Sequence, residues 1–360
     1  MRIVQLIDSL EAGGAERMAV NYANALSESI AFSGLVATRK EGELKKQIDK
    51  KVSYLFLDKK TRLDIKAVLK LRKYINNNQV QIIQAHSSSF FLAVLVKLTL
   101  PKVKIIWHDH YGNRINESRK KHYILFLCSF CFSACFAVNP ELEKWILKKL
   151  RITKVFFIPN FTLGDSSVSN KTYLNGETNK RIICLANLKK PKNHITILKA
   201  FNNTKLNHFS WSLHLVGKIY HDDYFYQLKY FIDENNLKES IFFYDSIQDV
   251  SFALSQANIS VLASRYEGFP VSLLEYGHAG LAVISTNVGF CTSLIKDGYN
   301  GLLFNPEDSE ALKEHFLKLA FDEDLQKDLG TNLKTEVLKQ YSSCEIMKEL
   351  IIKYNYIINE

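Results

Sequence analysis

What this sequence lacks narrows it first. No apolar run reaches the length of a membrane span; the longest candidate, Tyr123–Val138, is short and broken by small polar residues. The chain opens directly on a strand-like run, Ile3–Ile7, so no signal peptide is expected. The first βα turn has no G-x-G-x-x-G, which removes the dinucleotide fingerprint. No clear Asp-x-Asp stands at a strand end as a metal seat. Neither a zinc finger nor an interleaved basic and aromatic motif points to nucleic acid. Cysteines are few. Cys128, Cys131 and Cys135 have a C-x2-C-x3-C spacing, but a metal needs a fourth ligand and a polar loop. Their neighbours are Phe126, Leu127, Phe130, Phe132 and Phe136. They read as buried thiols of a reduced, cytoplasmic protein.

What is present suggests two α/β domains. The 360 residues are 47% hydrophobic, enough for two cores of ordinary size. The net charge of +10 implies an anionic partner: nucleic acid, an anionic membrane surface or an anionic substrate. Scattered lysines from a coding bias account for it equally well. Strand-like runs at Ile3–Ile7, Gly34–Thr38, Tyr54–Leu57, Val80–Ala85, Val103–Trp107, Cys135–Val138 and Val155–Ile158 alternate with helical patterns. Residues 164–180 are polar and read as a linker. The rhythm then restarts at Ile182–Ala186, Leu213–Val216, Ile241–Tyr244, Ile259–Ala263, Ala282–Ser285 and Leu302–Phe304. Strands without polar alternation, joined by helices, predict parallel sheets covered on both faces. The expected organisation is a domain at 1–163, a linker at 164–180, a domain at 181–343 and a last helix at 344–358 that completes the first domain.

The most informative stretch runs from Ser264 to Glu275. A buried strand, a tight turn and a helix start are expected, with Pro270 as first helical residue and free N–H groups from Val271 to Leu273. Such a helix start attracts phosphate. Glu267 and Glu275 flank it, and carboxylates there suit sugar hydroxyls. The pair Gly13-Gly14 after the first strand lets backbone amides approach an anion, or simply turns the chain into a helix. Lys189, Lys190 and Lys192 form a basic loop after the first strand of the second half. His108, Asp109 and His110 end the fifth strand as a polar site. A metal there would need a further His or acid, and none is evident nearby in sequence.

Together these pieces resemble the retaining glycosyltransferases of the GT-B fold, family four, also called glycosyl transferases group 1. The resemblance covers nearly the whole chain. Its most specific part is E-x7-E, present as Glu267 and Glu275, with Gly280, Ala282–Thr286, Val288-Gly289 and Asp297–Leu303 following; Gly13–Glu16 and Ile158-Pro159-Asn160 also match. It implies two Rossmann-like domains facing across a cleft. It implies that Glu275 holds the donor ribose and Glu267 the transferred sugar. Gly268, Phe269, Pro270, Val271 and Ser272 would line the donor. Lys192, with Gly13 and Gly14, would bind the donor diphosphate. His108, or in the other register His110, would lie near the sugar, with Asp109 beside it. Asn187 would also bind the donor: it stands where the family often has a diphosphate-binding Arg and can donate hydrogen bonds without the charge, which Lys189 or Lys190 would supply; Asp245 stands where the family has Gly.

The implied reaction moves a sugar, with retention, from a nucleotide-diphosphate-sugar to a glycan or lipid-linked acceptor in surface polysaccharide or lipopolysaccharide assembly. The nucleotide-sugar is a co-substrate, and neither cofactor nor metal is expected. The other readings are a nucleotide-sugar epimerase of the same architecture and a non-catalytic nucleotide-sugar-binding protein. Arg114, Arg119, Lys120 and Lys121, ahead of the aromatic run Tyr123–Phe136, form either a surface for an anionic membrane or a solvated turn before a buried helix and strand. The expected location is cytoplasmic, peripheral at the inner face of the cell membrane.

Overall fold

The βα rhythm becomes two parallel sheets in the computed structural model, which describes residues 1–118, 122–163 and 171–359. Contacts gather the chain into two units, Met1–Leu163 with Ser342–Glu360, and Gly164–Tyr341.

The first unit holds β1 (Arg2–Ser9), β2 (Phe32–Lys40), β3 (Ser53–Phe56), β4 (Ile82–His86), β5 (Lys104–Asp109), β6 (Ala134–Ala137) and β7 (Val155–Phe157). Their order is β3-β2-β1-β4-β5-β6-β7, parallel throughout. Ile3, Val4, Gln5 and Leu6 on β1 are all fully buried, as helices on both faces require. From β1 the chain steps outward to β3, then returns to β4 on the other side. That reversal leaves a crevice beyond the carboxyl ends of β1 and β4. The helices are α1 (Gly14–Ser27), α2 (Ile65–Asn77), α3 (Phe90–Lys97), α4 (Tyr123–Cys128) and α5 (Pro140–Lys149). Asp64 starts α2 by accepting from the Ala67 amide, and Asn139 starts α5 by accepting from Leu142, with Pro140 first in the helix. The aromatic run divides into α4, a 3-10 turn at Ser129–Cys131, and β6. Cys128 and Cys135 are buried among apolar groups, as free thiols.

The second unit holds β8 (Arg181–Leu185), β9 (Ser212–Val216), β10 (Ile241–Tyr244), β11 (Ile259–Leu262), β12 (Ala282–Thr286) and β13 (Leu302–Phe304), ordered β10-β9-β8-β11-β12-β13 and again parallel. Its helices are α6 (His194–Thr204), α7 (Asp223–Glu234), α8 (Val250–Leu254), α9 (Val271–Ala279), α10 (Cys291–Leu294), α11 (Ser309–Ala320) and α12 (Glu323–Gln340). Ile182, Leu213, Val261 and Ile284 from the strands meet Phe201, Leu228 and Phe316 from the helices in its core.

Residues 164–170 of the polar stretch lie outside the described residues. Residues 171–180 are fastened to the second unit. Asp249 accepts from the amides of Lys171 at 2.7 Å and Thr172 at 2.8 Å, and Gln256 accepts from Leu174. The last helix, α13 (Ser343–Ile358), packs into the first unit with Ile346, Met347, Leu350, Tyr354 and Ile357 buried. Its Tyr354 hydroxyl donates to Gln84 Oε1 on β4. No helix among the described residues is long and apolar enough to cross a membrane.

Candidate functional site

At the carboxyl edge of the second sheet, two loops form one structure. The basic loop after β8 closes as a 3-10 turn, Lys190–Lys192. Asn193 follows in the left-handed region, φ +57°, and its side-chain amide donates to Pro306 O at 2.8 Å. The Arg265 amide, in the loop after β11, donates to Pro191 O at 2.9 Å. This places Lys192 Nζ 2.5 Å from Glu267 Oε1, with the side chains 32% and 10% exposed. Burial alone would push the Lys192 ammonium down, but the Glu267 carboxylate outweighs it and the net shift is upward. Lys192 is therefore a firm cation at neutral pH.

Glu267 is held from behind. Gly289 sits at φ +50°, and a Cβ there would lie 2.0 Å from Glu267 O. Phe269 stacks on Phe290 at 4.5 Å and meets Tyr341 at 5.4 Å, so its ring belongs to the packing and a ligand can meet only its backbone. Pro270 is the N-cap of α9 rather than its first residue, with ψ at 109°. The Leu273 amide already donates to Pro270 O at 3.2 Å, which corrects the expected three free donors to those of Val271 and Ser272. No side chain caps this helix start. Ser272 and Glu275, three residues apart, lie half-buried on one face of α9, while Val271, Leu273, Leu274 and Tyr276 are buried. Tyr276 pins the helix: its hydroxyl accepts from the Leu185 amide at 2.7 Å and donates to Val261 O at 3.3 Å.

Two departures from the family pattern have structural accounts. Asn187 Oδ1 accepts from the Lys218 amide at 3.0 Å, tying the loops after β8 and β9. Asp245 accepts from the amides of Ile219 and Ser246 at 3.1 and 2.7 Å, which orders the end of β10 against the same loop. Lys189 Nζ lies 4.5 Å from the Tyr220 ring centroid.

In the first unit, Gly13 is the N-cap of α1 and Gly14 is exposed. A Cβ on Gly13 would lie 2.2 Å from Glu16 Oε2. The Glu16 carboxylate folds back over the turn, so this helix start already carries an anion of its own.

The register of β4 and β5 pairs His86 with His108, and His110 stands just beyond. Sequence reading found no third ligand near His108 and His110, and the structure supplies one: ring nitrogens of His86, His108 and His110 lie within 4.8 Å of one another. Hydrogen-bond partners assign the tautomers. His86 Nε2 donates to Gln5 Oε1 at 2.7 Å, so its Nδ1 accepts from His110 Nε2 at 2.9 Å. His110 Nδ1 is then a lone pair, buried without a partner among the described residues. Gln84, whose Oε1 accepts from Tyr354, donates through Nε2 to His108 Nδ1 at 2.9 Å. His108 carries its proton on Nε2, which likewise is buried without a partner among the described residues. Burial pushes all three imidazoles down, His110 to about 3. They are neutral, the form that ligates metals. An ion on all three would take the place of the proton between His86 and His110.

Asp109 is fully buried. Its Oδ1 accepts from Arg114 Nη2 at 2.9 Å and its Oδ2 from Arg114 Nε. Arg114 thus points inward, over the Trp107 and Tyr111 rings at 5.2 and 5.5 Å, and is not part of a basic surface. Arg119, Lys120 and Lys121 lie outside the described residues. Tyr123, Leu127 and Phe130 are exposed. Sequence reading did not single out His86 or Tyr276 and quoted Gly289 only as a flank. His86 becomes visible only through strand pairing.

Two Rossmann-like parallel sheets, the second with a Lys–Glu pair and an open helix start at its carboxyl edge, constitute the GT-B architecture of sugar transferases. Two family models match, Glycosyltransferase Family 4 over residues 12–162 and Glycosyl transferases group 1 over residues 167–336. The chain belongs to this glycosyltransferase family. It is 21% identical to the capsular polysaccharide biosynthesis glycosyltransferase CapM of Staphylococcus aureus over 89% of each chain. It is 23% identical, over 93% of each chain, to a Campylobacter jejuni α-1,4-N-acetyl-D-galactosaminyltransferase whose acceptor is a diphospho-undecaprenol-linked glycan. Anabaena HepE, solved with UDP and glucose, superposes with a TM-score of 0.82 at 14% identity, over 99% of this chain and 100% of the other.

Proposed function

We propose that this glycosyltransferase moves a sugar from a nucleotide-diphosphate-sugar to a glycan or lipid-linked acceptor in surface polysaccharide or lipopolysaccharide assembly, with retention of configuration and without a metal. The observation that carries the reading is the grouping of Lys192, Glu267 and the α9 start on one sheet edge, with Glu275 on the open face of α9. Transfer passes through an oxocarbenium-like state, and the departing diphosphate gains negative charge. Lys192 and the amides of Val271 and Ser272 stabilise that charge. Glu275 accepts from the ribose and Glu267 from the sugar. Gly13 and Gly14 contribute amides to the diphosphate. The sugar meets His110, the partly exposed of the two histidines, and His108, fully buried with its ring 4.1 Å away, packs behind it. The acceptor lies on the first unit, where exposed Tyr123, Leu127 and Phe130 meet an anionic membrane.

CapM, a capsular polysaccharide glycosyltransferase, and the Campylobacter enzyme, with its undecaprenol-linked acceptor, support the pathway and acceptor class, and HepE, solved with UDP and glucose, supports the donor class. The test is release of nucleoside diphosphate from a panel of nucleotide-sugars by the purified chain. One donor should be hydrolysed slowly, Glu275→Ala should abolish most of that rate, and EDTA should leave it unchanged. If no donor binds or turns over and Glu275→Ala changes nothing, the reading fails. The anomeric configuration of the product, read by NMR, checks retention.

A further inference from the structure

Three imidazoles meet at the carboxyl ends of β4 and β5. His86 ends β4, His108 pairs with it on β5, and His110 comes immediately after β5. One ring nitrogen from each lies within 4.8 Å of the other two. The His108 and His110 centroids are 4.1 Å apart, and those of His86 and His110 5.1 Å. Tyr22 and Phe136 wall His108 edge-on at 5.4 and 5.8 Å. An apolar wall of this kind fixes a ring's orientation and limits solvent access.

A chain of neutral rings that served packing alone would satisfy its nitrogens. This one leaves two of them, His108 Nε2 and His110 Nδ1, buried without a partner among the described residues. Each forfeits a hydrogen bond that water would supply. Asp109, next to both residues in the chain, is taken by Arg114. The donor set is therefore three imidazole nitrogens. That set suits zinc and its late first-row neighbours, whereas magnesium and calcium take oxygen.

We propose that His86, His108 and His110 form a binding site for a divalent metal ion of the zinc class, with solvent as the fourth ligand. The ligand atoms are His86 Nδ1, His108 Nε2 and His110 Nε2. Bonds of about 2.0–2.1 Å set tetrahedral nitrogens roughly 3.3 Å apart. The His86–His110 pair, at 2.9 Å, opens slightly, and side-chain rotation brings in the third nitrogen. The protons balance within the site. His86 keeps its proton on Nε2, where Gln5 Oε1 accepts it at 2.7 Å. That is the outer-shell contact metal-bound histidines make. His108 and His110 each move a proton from Nε2 to Nδ1. His108 Nδ1 then donates to Gln84 Oε1 once that amide turns over, and the Tyr354 hydroxyl accepts from Gln84 Nε2 instead of donating. The fourth position is reached past His110, the partly exposed member. The transferase reading uses no metal, and this site goes beyond it: an ion here ties β4, β5 and the segment after β5 together.

The EDTA-treated, desalted full chain is titrated calorimetrically with zinc chloride, wild type against His86→Gln, His110→Gln, Gln5→Leu and Cys344→Ser. The wild type should show one saturable zinc site. Loss of either histidine should weaken it about 100-fold or more, and Gln5→Leu, which removes an outer-shell partner, about tenfold. Cys344→Ser, without the exposed thiol, should bind as the wild type does. Magnesium should give no saturable binding. Cobalt(II) in place of zinc should give the intense visible absorption of a four-coordinate ion, lost in His110→Gln. Zinc should raise the thermal midpoint of the wild type and leave that of His110→Gln unmoved, a comparison that holds even where a variant is less stable. Absence of a saturable zinc site in the wild type, binding unchanged in both histidine variants, magnesium binding as tightly as zinc, or loss of the site in Cys344→Ser overturns the proposal. No sugar donor enters the measurement, so its failure leaves the transferase reading standing, and a chain that turns over no donor can still bind the ion.

Discussion

Glu267 is held in place by a residue with no side chain. Gly289 combines a left-handed φ of +50° with a Cβ position 2.0 Å from Glu267 O. Alanine there would meet both strain and collision. Gly289→Ala should lower stability by about 1–3 kcal/mol, seen as a fall in the thermal midpoint, and should displace the Glu267 turn. Donor hydrolysis should fall more steeply than stability, because the shifted carboxylate no longer meets Lys192. Lys192→Met tests the pair from its other end. With one side chain 32% and the other 10% exposed, the loss should be about 1–3 kcal/mol, between the surface and buried limits. Donor affinity should fall with it, measured by titration of the hydrolysable donor. At this scale the sequence was only partly legible. Lys192, Glu267 and Glu275 are recognisable because a motif fixes their spacing. His86 is not, because a strand ladder and not the chain brings it beside His108. Pro270 shows a finer limit: X-Pro before a helix fits both the N-cap and the first turn, and only the backbone angles decide between them.

At the scale of elements, the histidines on β4 and β5 link the fold to pH. His110 is pushed to about 3 by burial, and His86 and His108 well below their ordinary value of 6.5. The unfolded chain takes up protons near 6.5, whereas the folded strands do not until far lower. Stability is therefore fully present above 6.5 and lost as pH falls from 6.5 toward 3, each imidazole contributing about 1.4 kcal/mol per pH unit at most. His194, held at about 4, and His214, at about 3, add the same sign in the second unit. Calorimetry across this range should show midpoints falling with acid, and His110→Gln should reduce the slope. The elements themselves were the most legible part of the chain. β10, β13 and α9 begin and end where polar turn residues bracket an apolar run. α10 escaped because its four residues carry no period. The run after Lys121 allowed both a membrane surface and a buried helix with a strand, since apolar content alone does not say what covers it. α4 and β6 put part of it inside, and Tyr123, Leu127 and Phe130 remain outside.

At the scale of the whole molecule, each sheet carries its own core, and α13 is the segment that crosses the division of the sequence. Five large apolar side chains on α13 are buried in the first unit: Ile346, Met347, Leu350, Tyr354 and Ile357. At about 1.5–3 kcal/mol each, their loss would match the entire stability of an ordinary domain. A chain ending at Tyr341 should therefore retain one cooperative calorimetric transition, from the second unit. It should lose the other, while Gln84 is left without its Tyr354 partner. Two intact transitions in the truncated chain would contradict this account.

The return of α13 also orders events in time. A ribosome delivers β1 first, but the sheet that β1 begins is not closed until Tyr354 has emerged. The second unit, contiguous from Gly164 to Tyr341, is complete before that and can fold while the first waits. Once Tyr341 has been made, and until α13 follows, the chain consists of an unfinished leading half tethered to a complete trailing one. The histidines of β4 and β5 reach their buried, neutral state only at the end. A polypeptide interrupted between Tyr341 and its last helix would have a complete second unit and an incomplete first one.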